Sequence, residues 1–296
     1  MVAAGRALVF ILLVELTLPS WADDIGDSCA SQSGEEEQCA YVKGSVSLDF
    51  ASKVLSYGLP DADRPNLLPY GELTFFNTLS VGSRLYFDLT DFGDRMGRGD
   101  RTCDFWEVDF PVDLRTRFSP EDSGWLPTSV ELGVGYRYEY HPPRTHIADT
   151  QFWLADVSLP DLWIAPCFSY ERDVVRDNGT YLNFSLSKEI EIFDDVSLVP
   201  SISQGWGDVK RVADYLPAPD MIRRLEHAGL MDTVFKFELI WTVADRVSIS
   251  FFAAYSDFLF DRTIREASRN YIRQCDGGAR NRCWCIPFGF SLKFSM

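Results

Sequence analysis

The sequence predicts an all-β fold: an antiparallel transmembrane β-barrel of about twelve strands, with short turns at one end and longer loops at the other. Three observations predict it. Long segments alternate residue by residue between apolar and ionic side chains. Several of them exceed the roughly five or six residues usual for strands of soluble domains. The connections between them alternate between short and long.

Taken from the N-terminus, Arg6 precedes an apolar run from Ala7 to Leu18 broken only by Glu15 and Thr17, and Ser20-Trp21-Ala22 supplies small residues for a cleavage site. Residues 1–22 read as a removed signal peptide. The alternative, a retained anchor, needs about 20 apolar residues, which this run does not reach. Residues 23–43 read as a periplasmic N-terminal segment and residues 44–296 as the barrel.

Strands are predicted near 45–55, 68–77, 80–90, 104–118, 128–141, 150–159, 162–172, 179–189, 196–207, 231–243, 247–258 and 284–296. In the fourth, Trp106, Val108, Phe110, Val112, Leu114 and Phe118 share one parity, and Glu107, Asp109, Asp113, Arg115 and Arg117 the other. In the fifth, Val130, Leu132, Val134, Tyr136, Tyr138 and Tyr140 oppose Glu131, Gly133, Gly135, Arg137, Glu139 and His141. Successive side chains of a strand point to opposite faces, so each strand has one greasy face and one ionic face. In a barrel the greasy face meets lipid and the ionic face lines the lumen. A soluble β-sandwich, the alternative, would need the greasy faces to meet each other.

With the first strand rising from the periplasm, the turns near Asn77-Thr78, 119–127, Pro160-Asp161, 190–195 and Ala244-Asp245-Arg246 are periplasmic and mostly short. Those near 57–67, 91–103, 142–149, 173–178, 208–230 and 259–283 are external and mostly longer. Trp106, Trp125, Tyr140, Trp153, Trp163, Trp206, Trp241 and Trp284 lie near strand ends, where amphipathic rings suit the two interfaces of a bilayer. The last segment alternates from Trp284 through Phe294 to the terminal Met296, in the manner of the C-terminal strand that barrel-insertion machinery recognises.

The phrases Ala51-Ser52-Lys53-Val54, Tyr57-Gly58, Asp63-Arg64-Pro65 and Leu67-Leu68-Pro69, then Glu107-Val108-Asp109, Gly135-Tyr136, Gly179-Thr180-Tyr181 and Gly205-Trp206-Gly207-Asp208, resemble the TorF-like family of outer-membrane porins. The resemblance runs from about Gly44 to about Asp261, with Tyr57-Gly58 standing where an Arg-Gly pair is expected. It implies a porin and carries no catalytic residues.

Composition excludes other classes. A chain 46% hydrophobic is not disordered, and a net charge of −16 repels nucleic acid. No cofactor or nucleotide motif occurs, and neither HExxH nor paired CxxC spacing is present, so no metal site is expected. Glu139, His141 and Asp149 offer the only arrangement suited to a protease-like rim, and a solvated rim is the plainer reading; no enzyme is expected.

An exported chain meets an oxidising compartment, so Cys29, Cys39, Cys103, Cys275, Cys283 and Cys285 are disulfide candidates, while Cys167 lies inside a strand without an obvious partner. Asp220 to Gly229 and Asp261 to Cys275 read as loop helices that either fold into the lumen or cap the rim.

The expected function is passive diffusion of small solutes or ions through a bacterial outer-membrane barrel, weakly cation-preferring. Glu107, Asp109, Asp113, Arg115, Arg117, Glu131, Arg137 and Glu139 would line the pore. The alternative is a closed barrel with a structural or surface-interaction role, in which those opposed charges bridge one another. Expected partners are outer-membrane lipid, the solute, and barrel-insertion machinery during biogenesis.

Overall fold

The computed structural model describes residues 42–57, 59–62, 65–89, 104–124, 126–142, 147–216, 225–275 and 284–296. The expected signal peptide and nearly all of the N-terminal segment lie outside them.

Twelve antiparallel staves form a closed ring: β1 (Val42–Ala51), β2 (Asn66–Phe75), β3 (Leu79–Asp88), β4 (Asp104–Phe118), β5 (Val130–Tyr140), β6 (Thr150–Ser158), β7 (Ala165–Asp173), β8 (Thr180–Ser187), β9 (Val196–Gly207), β10 (Gly229–Ala244), β11 (Val247–Asp257) and β12 (Phe288–Ser295). Each stave pairs with its sequence neighbours. The ring closes where β12 pairs with β1, from Ser45 opposite Ser295 to Ala51 opposite Gly289. Closure leaves no stave with an unpaired edge, which is the condition for a sheet to stand in hydrocarbon.

Bounds shift by a few residues from those expected. β1 begins at Val42, and the last expected strand divides into a two-residue segment, Trp284–Cys285, paired with β11, and the stave β12. Pro287 between them has no N–H to donate, and Ala254 donates to its carbonyl at 2.9 Å. Between β2 and β3, Phe76 and Asn77 both take positive φ, +54° each, closing a tight hairpin of the hand that matches strand twist.

The alternation sorts as expected. Phe110, Val112, Leu114, Leu132, Val134, Trp153, Phe168, Phe184, Phe237, Trp241, Phe251 and Phe290 are exposed on the outside, while Glu107, Asp109 and Asp173 are buried on the inside. Val108 is an exception among the outward residues. It is enclosed, opposite a buried Leu85. Trp106 departs from its expected face because the β3–β4 ladder slips there. Its indole donates to Asn66 Oδ1 at 3.0 Å and packs on Tyr86, whose hydroxyl binds the inward Asp109.

The loop end carries two helices, α1 (Val209–Tyr215) and α2 (Arg262–Cys275). Asp208 caps α1 by accepting from the Arg211 N–H, and Asp261 caps α2 through the N–H groups of Thr263 and Ile264. Val212 and Leu216 meet Leu225, Met231, Phe258, Ile264 and Ala267 in a small apolar core that includes the first residues of β10. No helix among the described residues is long and apolar enough to cross a membrane.

Candidate functional site

The interior divides into two walls. Along β1–β3 and β10–β12 it holds a cavity of about 590 Å³ lined by Ser45, Ser47, Asp49, Tyr70, Glu72, Arg84, Lys236, Glu238, Ser248, Ser250, Ser291 and Lys293 among others. Small serines leave the room, and the charges balance: Asp49, Glu72 and Glu238 against Arg84, Lys236 and Lys293. Lys236 lies 2.6 Å from Glu238, Arg84 sits over the Tyr70 ring at 4.9 Å, and the Tyr70 hydroxyl donates to Glu72 at 2.6 Å.

The opposite wall, β4–β7, carries all eight residues expected to line a pore. They stand on the inner face but do not gather into one ring. At the turn end Arg117 pairs with Asp161, and Arg115 lies 3.4 Å from Glu131 and 3.3 Å from Asp156. Asp113 presses on Gly135, whose missing side chain makes the room, and Asp156 does the same at Gly133.

Further up, Arg137 lies 3.0 Å from Glu139 and 2.9 Å from Glu171, its guanidinium 4.5 Å from the Phe152 ring centre. The opposed charges therefore bridge one another. At the loop end Asp109 accepts from Tyr86 at 2.9 Å, and Glu107 meets His141 Nε2 at 3.1 Å.

Two residues without an expected role in the lumen stand at this end. Tyr57, from the loop after β1, reaches across the mouth to hydrogen-bond Glu171 on β7 and packs edge-on against Tyr181 and Tyr215, each 4.6 Å away. Arg211 of α1, with 1% of its side chain exposed, lies 3.5 Å from Glu171 and 3.4 Å from Asp177, and 4.9 Å over the Tyr57 ring. A guanidinium stripped of water is held here by two carboxylates and three aromatic faces, those of Tyr57, Phe152 and Tyr215.

Burial pushes the Tyr57 hydroxyl well above its ordinary value, with Glu171 adding to the effect. It also raises the Asp177 carboxyl, against the pull of Arg211.

The signal for this plug was present in the sequence. Asp208 directly before Val209 is a helix N-cap, and Gly179 and Gly207 are the floor on which α1 docks: a Cβ would stand 2.5 Å from the Arg211 nitrogen at the first and 2.6 Å from Met231 Sδ at the second. Both glycines fall within phrases that carried the family resemblance.

Among the described residues, Glu107, Glu139 and His141 form a group whose ligand-type atoms all lie within 4.8 Å of one another. Register creates it. Val108 pairs with Tyr140 and Asp109 with Glu139, so the inward residues of β4 and the end of β5 interleave. Burial holds the His141 imidazole below its usual value, against the pull of Glu139. Asp149 does not complete a relay with that ring. It accepts from the His141 backbone N–H at 2.8 Å and from Tyr138 at 2.7 Å, and these two bonds keep its carboxyl below the ordinary range.

No protein-family model matches the chain, and no curated protein matches it in sequence. Among solved structures, the barrel is similar to the NanC porin at 9% identity, covering 84% of this chain and 98% of that one, with a TM-score of 0.49. An outer-membrane channel from Pseudomonas putida F1 is likewise 9% identical, with 88% and 100% covered and a TM-score of 0.49. OccAB2 of Acinetobacter baumannii gives 9%, 84%, 59% and a TM-score of 0.37 in the same order. At such values the likeness carries nothing about activity.

The other loop expectations divide. Asp261 to Cys275 is helical as expected, one residue shorter at its start. Of the expected helix from Asp220 to Gly229, residues 220–224 lie outside the described residues, 225–228 are not helical, and Gly229 opens β10. Cys29, Cys39, Cys103 and Cys283 lie outside the described residues; Cys275 ends α2, Cys285 is buried beside β11, and Cys167 faces the interior of β7 as a free thiol.

Proposed function

We propose that this chain is a bacterial outer-membrane barrel that passes small solutes or ions, with a weak preference for cations, through a lumen narrowed at its external end. The observation that carries this reading is the inverted polarity of the ring. Large apolar side chains such as Val134, Trp153 and Phe237 are more than half exposed outside, while Asp and Glu residues are buried within. A chain folded for water would gain by the reverse arrangement. Staves of 8 to 16 residues match the roughly nine to eleven that a tilted strand needs to cross hydrocarbon. The resemblance to TorF-like porins and the signal-like N-terminus point the same way.

Cation preference rests on the β4–β7 wall, where Glu107, Asp109, Asp113, Glu131, Glu139, Asp156 and Glu171 outnumber Arg115, Arg117 and Arg137. Lumenal charge sets ion preference in a water-filled barrel.

A second reading, a closed barrel acting through its external loops, is favoured by one observation, the Tyr57 and Arg211 plug. Folded protein in a planar bilayer separates the two. Conductance steps with a reversal potential of cation-preferring sign in a salt gradient support the channel. Silence with retained β-structure supports the closed barrel, and failure to enter lipid rejects both.

A further inference from the structure

We propose that Glu107, Glu139 and His141 form a binding site for a divalent first-row transition-metal ion at the loop end of the lumen. The site lies within one wall, so the inference holds whether or not the barrel conducts.

The donor set fits that class of ion. One imidazole nitrogen and two carboxylates make a borderline mixture that suits zinc, cobalt or manganese ions, whereas calcium and magnesium take oxygen ligands throughout. The group is already compact. His141 Nε2 stands 3.1 Å from Glu107 Oε2, and all three ligand atoms fall within 4.8 Å. Donors on one ion are about 3–4 Å apart, since each bond is about 2.0–2.2 Å, so a small side-chain adjustment completes the arrangement.

One observation beyond the cluster itself points to a ligand. Asp109 Oδ1 is buried with no hydrogen-bond partner, in a residue only 6% exposed that stands directly opposite Glu139 and two residues from Glu107 on the same face. His141 has only 3% of its side chain exposed, and its Nε2 is the nitrogen turned toward Glu107. An unpaired carboxylate oxygen in such surroundings is costly, and a bound ion or one of its waters would satisfy it.

Arg137 is shared between Glu139 and Glu171, and its Nε, though 3.0 Å from Glu139, makes no aligned hydrogen bond. Arg84 stands opposite Asp109 in the β3–β4 ladder and also lines the neighbouring cavity, and the Tyr86 hydroxyl reaches Asp109 Oδ2, which leaves Oδ1 without a hydrogen bond.

The test uses the full detergent-folded chain, stripped by chelation and titrated with Co²⁺ and with Zn²⁺ by calorimetry, with the Co²⁺ visible spectrum followed in parallel. One ion per chain is expected, with Mg²⁺ and Ca²⁺ at least about tenfold weaker. His141→Ala and Glu107→Gln should each weaken binding by at least the roughly 10–100-fold that loss of even a supporting contact costs. A His146→Ala, His227→Ala double variant should bind as wild type.

Absence of saturable binding by the wild-type chain overturns the proposal, as does binding that His141→Ala and Glu107→Gln leave unchanged. If either variant fails to recover native β-structure, Glu139→Gln and the X-ray absorption spectrum of the wild-type complex decide. A first coordination sphere without an imidazole nitrogen rejects the site.

Discussion

Arg137 on β5 passes over β6 and sets its guanidinium 2.9 Å from Glu171 on β7, the same carboxylate that Tyr57 and Arg211 reach from the loops. A contact that skips a stave is available only on the concave side of the sheet, so it fixes which face is inside. It also joins the wall to the mouth. Removing Arg137 would leave Glu139 and Glu171 facing each other across β6 and loosen the seat of Tyr57.

The outer face yields the first prediction. Val112 and Val134 are exposed on adjacent staves, so Val112→Arg or Val134→Arg should cost about 2–4 kcal/mol in lipid if they lie near the midplane. Asp113→Lys, on the inner face, should cost about 1 kcal/mol or less. Denaturant unfolding from vesicles measures both, and equal damage from the two kinds of substitution would contradict the assignment of faces.

Period-two alternation makes these faces legible in the sequence alone. Val112, Val134 and Asp113 follow from parity alone, because a strand cannot turn two neighbours to the same side. Trp106 and the Glu107, Glu139, His141 group were not legible. The first depends on a ladder slip that shifts parity locally, and the second on register between strands, neither of which one-dimensional spacing carries. The Tyr57 and Arg211 plug left only the Asp208 cap and its glycines as a local signal. A seven-residue helix resting on glycines has too short a period to stand out beside long strands.

A second prediction concerns the seam. An added Cβ at Gly289 would run into the Phe50 carbonyl oxygen and lie 2.6 Å from the Phe252 ring, where β12 closes the ring against β1 and β11. Backbone cannot yield as a flexible side chain can. Gly289→Ala should therefore cost about 1–3 kcal/mol or more and lower the yield of folded, heat-resistant barrel on a gel. Unchanged stability would show that the seam has slack.

The turn between β6 and β7 gives a pH prediction. Hydrogen bonds from Ser129 and then Arg117 hold the Asp161 carboxyl below its ordinary value. A depressed folded value means that the unfolded chain binds the proton more readily. The stabilisation is therefore complete above about pH 3.9 and is lost as pH falls through the folded value. Carbon chemical shifts of Asp161 should titrate below that pH in the wild type and move up toward it in Ser129→Ala and Arg117→Ala. An ordinary value in the wild type would remove the contact from the folded state.

The plug gives the last prediction, in which two substitutions must behave differently. Tyr57 reaches the far wall from an external loop, so Tyr57→Ala takes away a ring and one hydrogen bond while leaving Arg211 its two carboxylates. Arg211→Ala instead strands Glu171 and Asp177 in a site where both side chains are almost buried. Breaking a buried pair by removing one partner costs about 3–5 kcal/mol. Tyr57→Ala should therefore keep the barrel folded and raise single-channel conductance, because the aromatic bar across the mouth is gone. Arg211→Ala should lower the denaturant midpoint and make the current noisy as α1 lifts from Gly179. If Tyr57→Ala conducts as the wild type does, the limiting constriction lies elsewhere along the lumen. If both variants stay silent in a bilayer while folded, the barrel is closed below the plug as well, and its role belongs to the external surface.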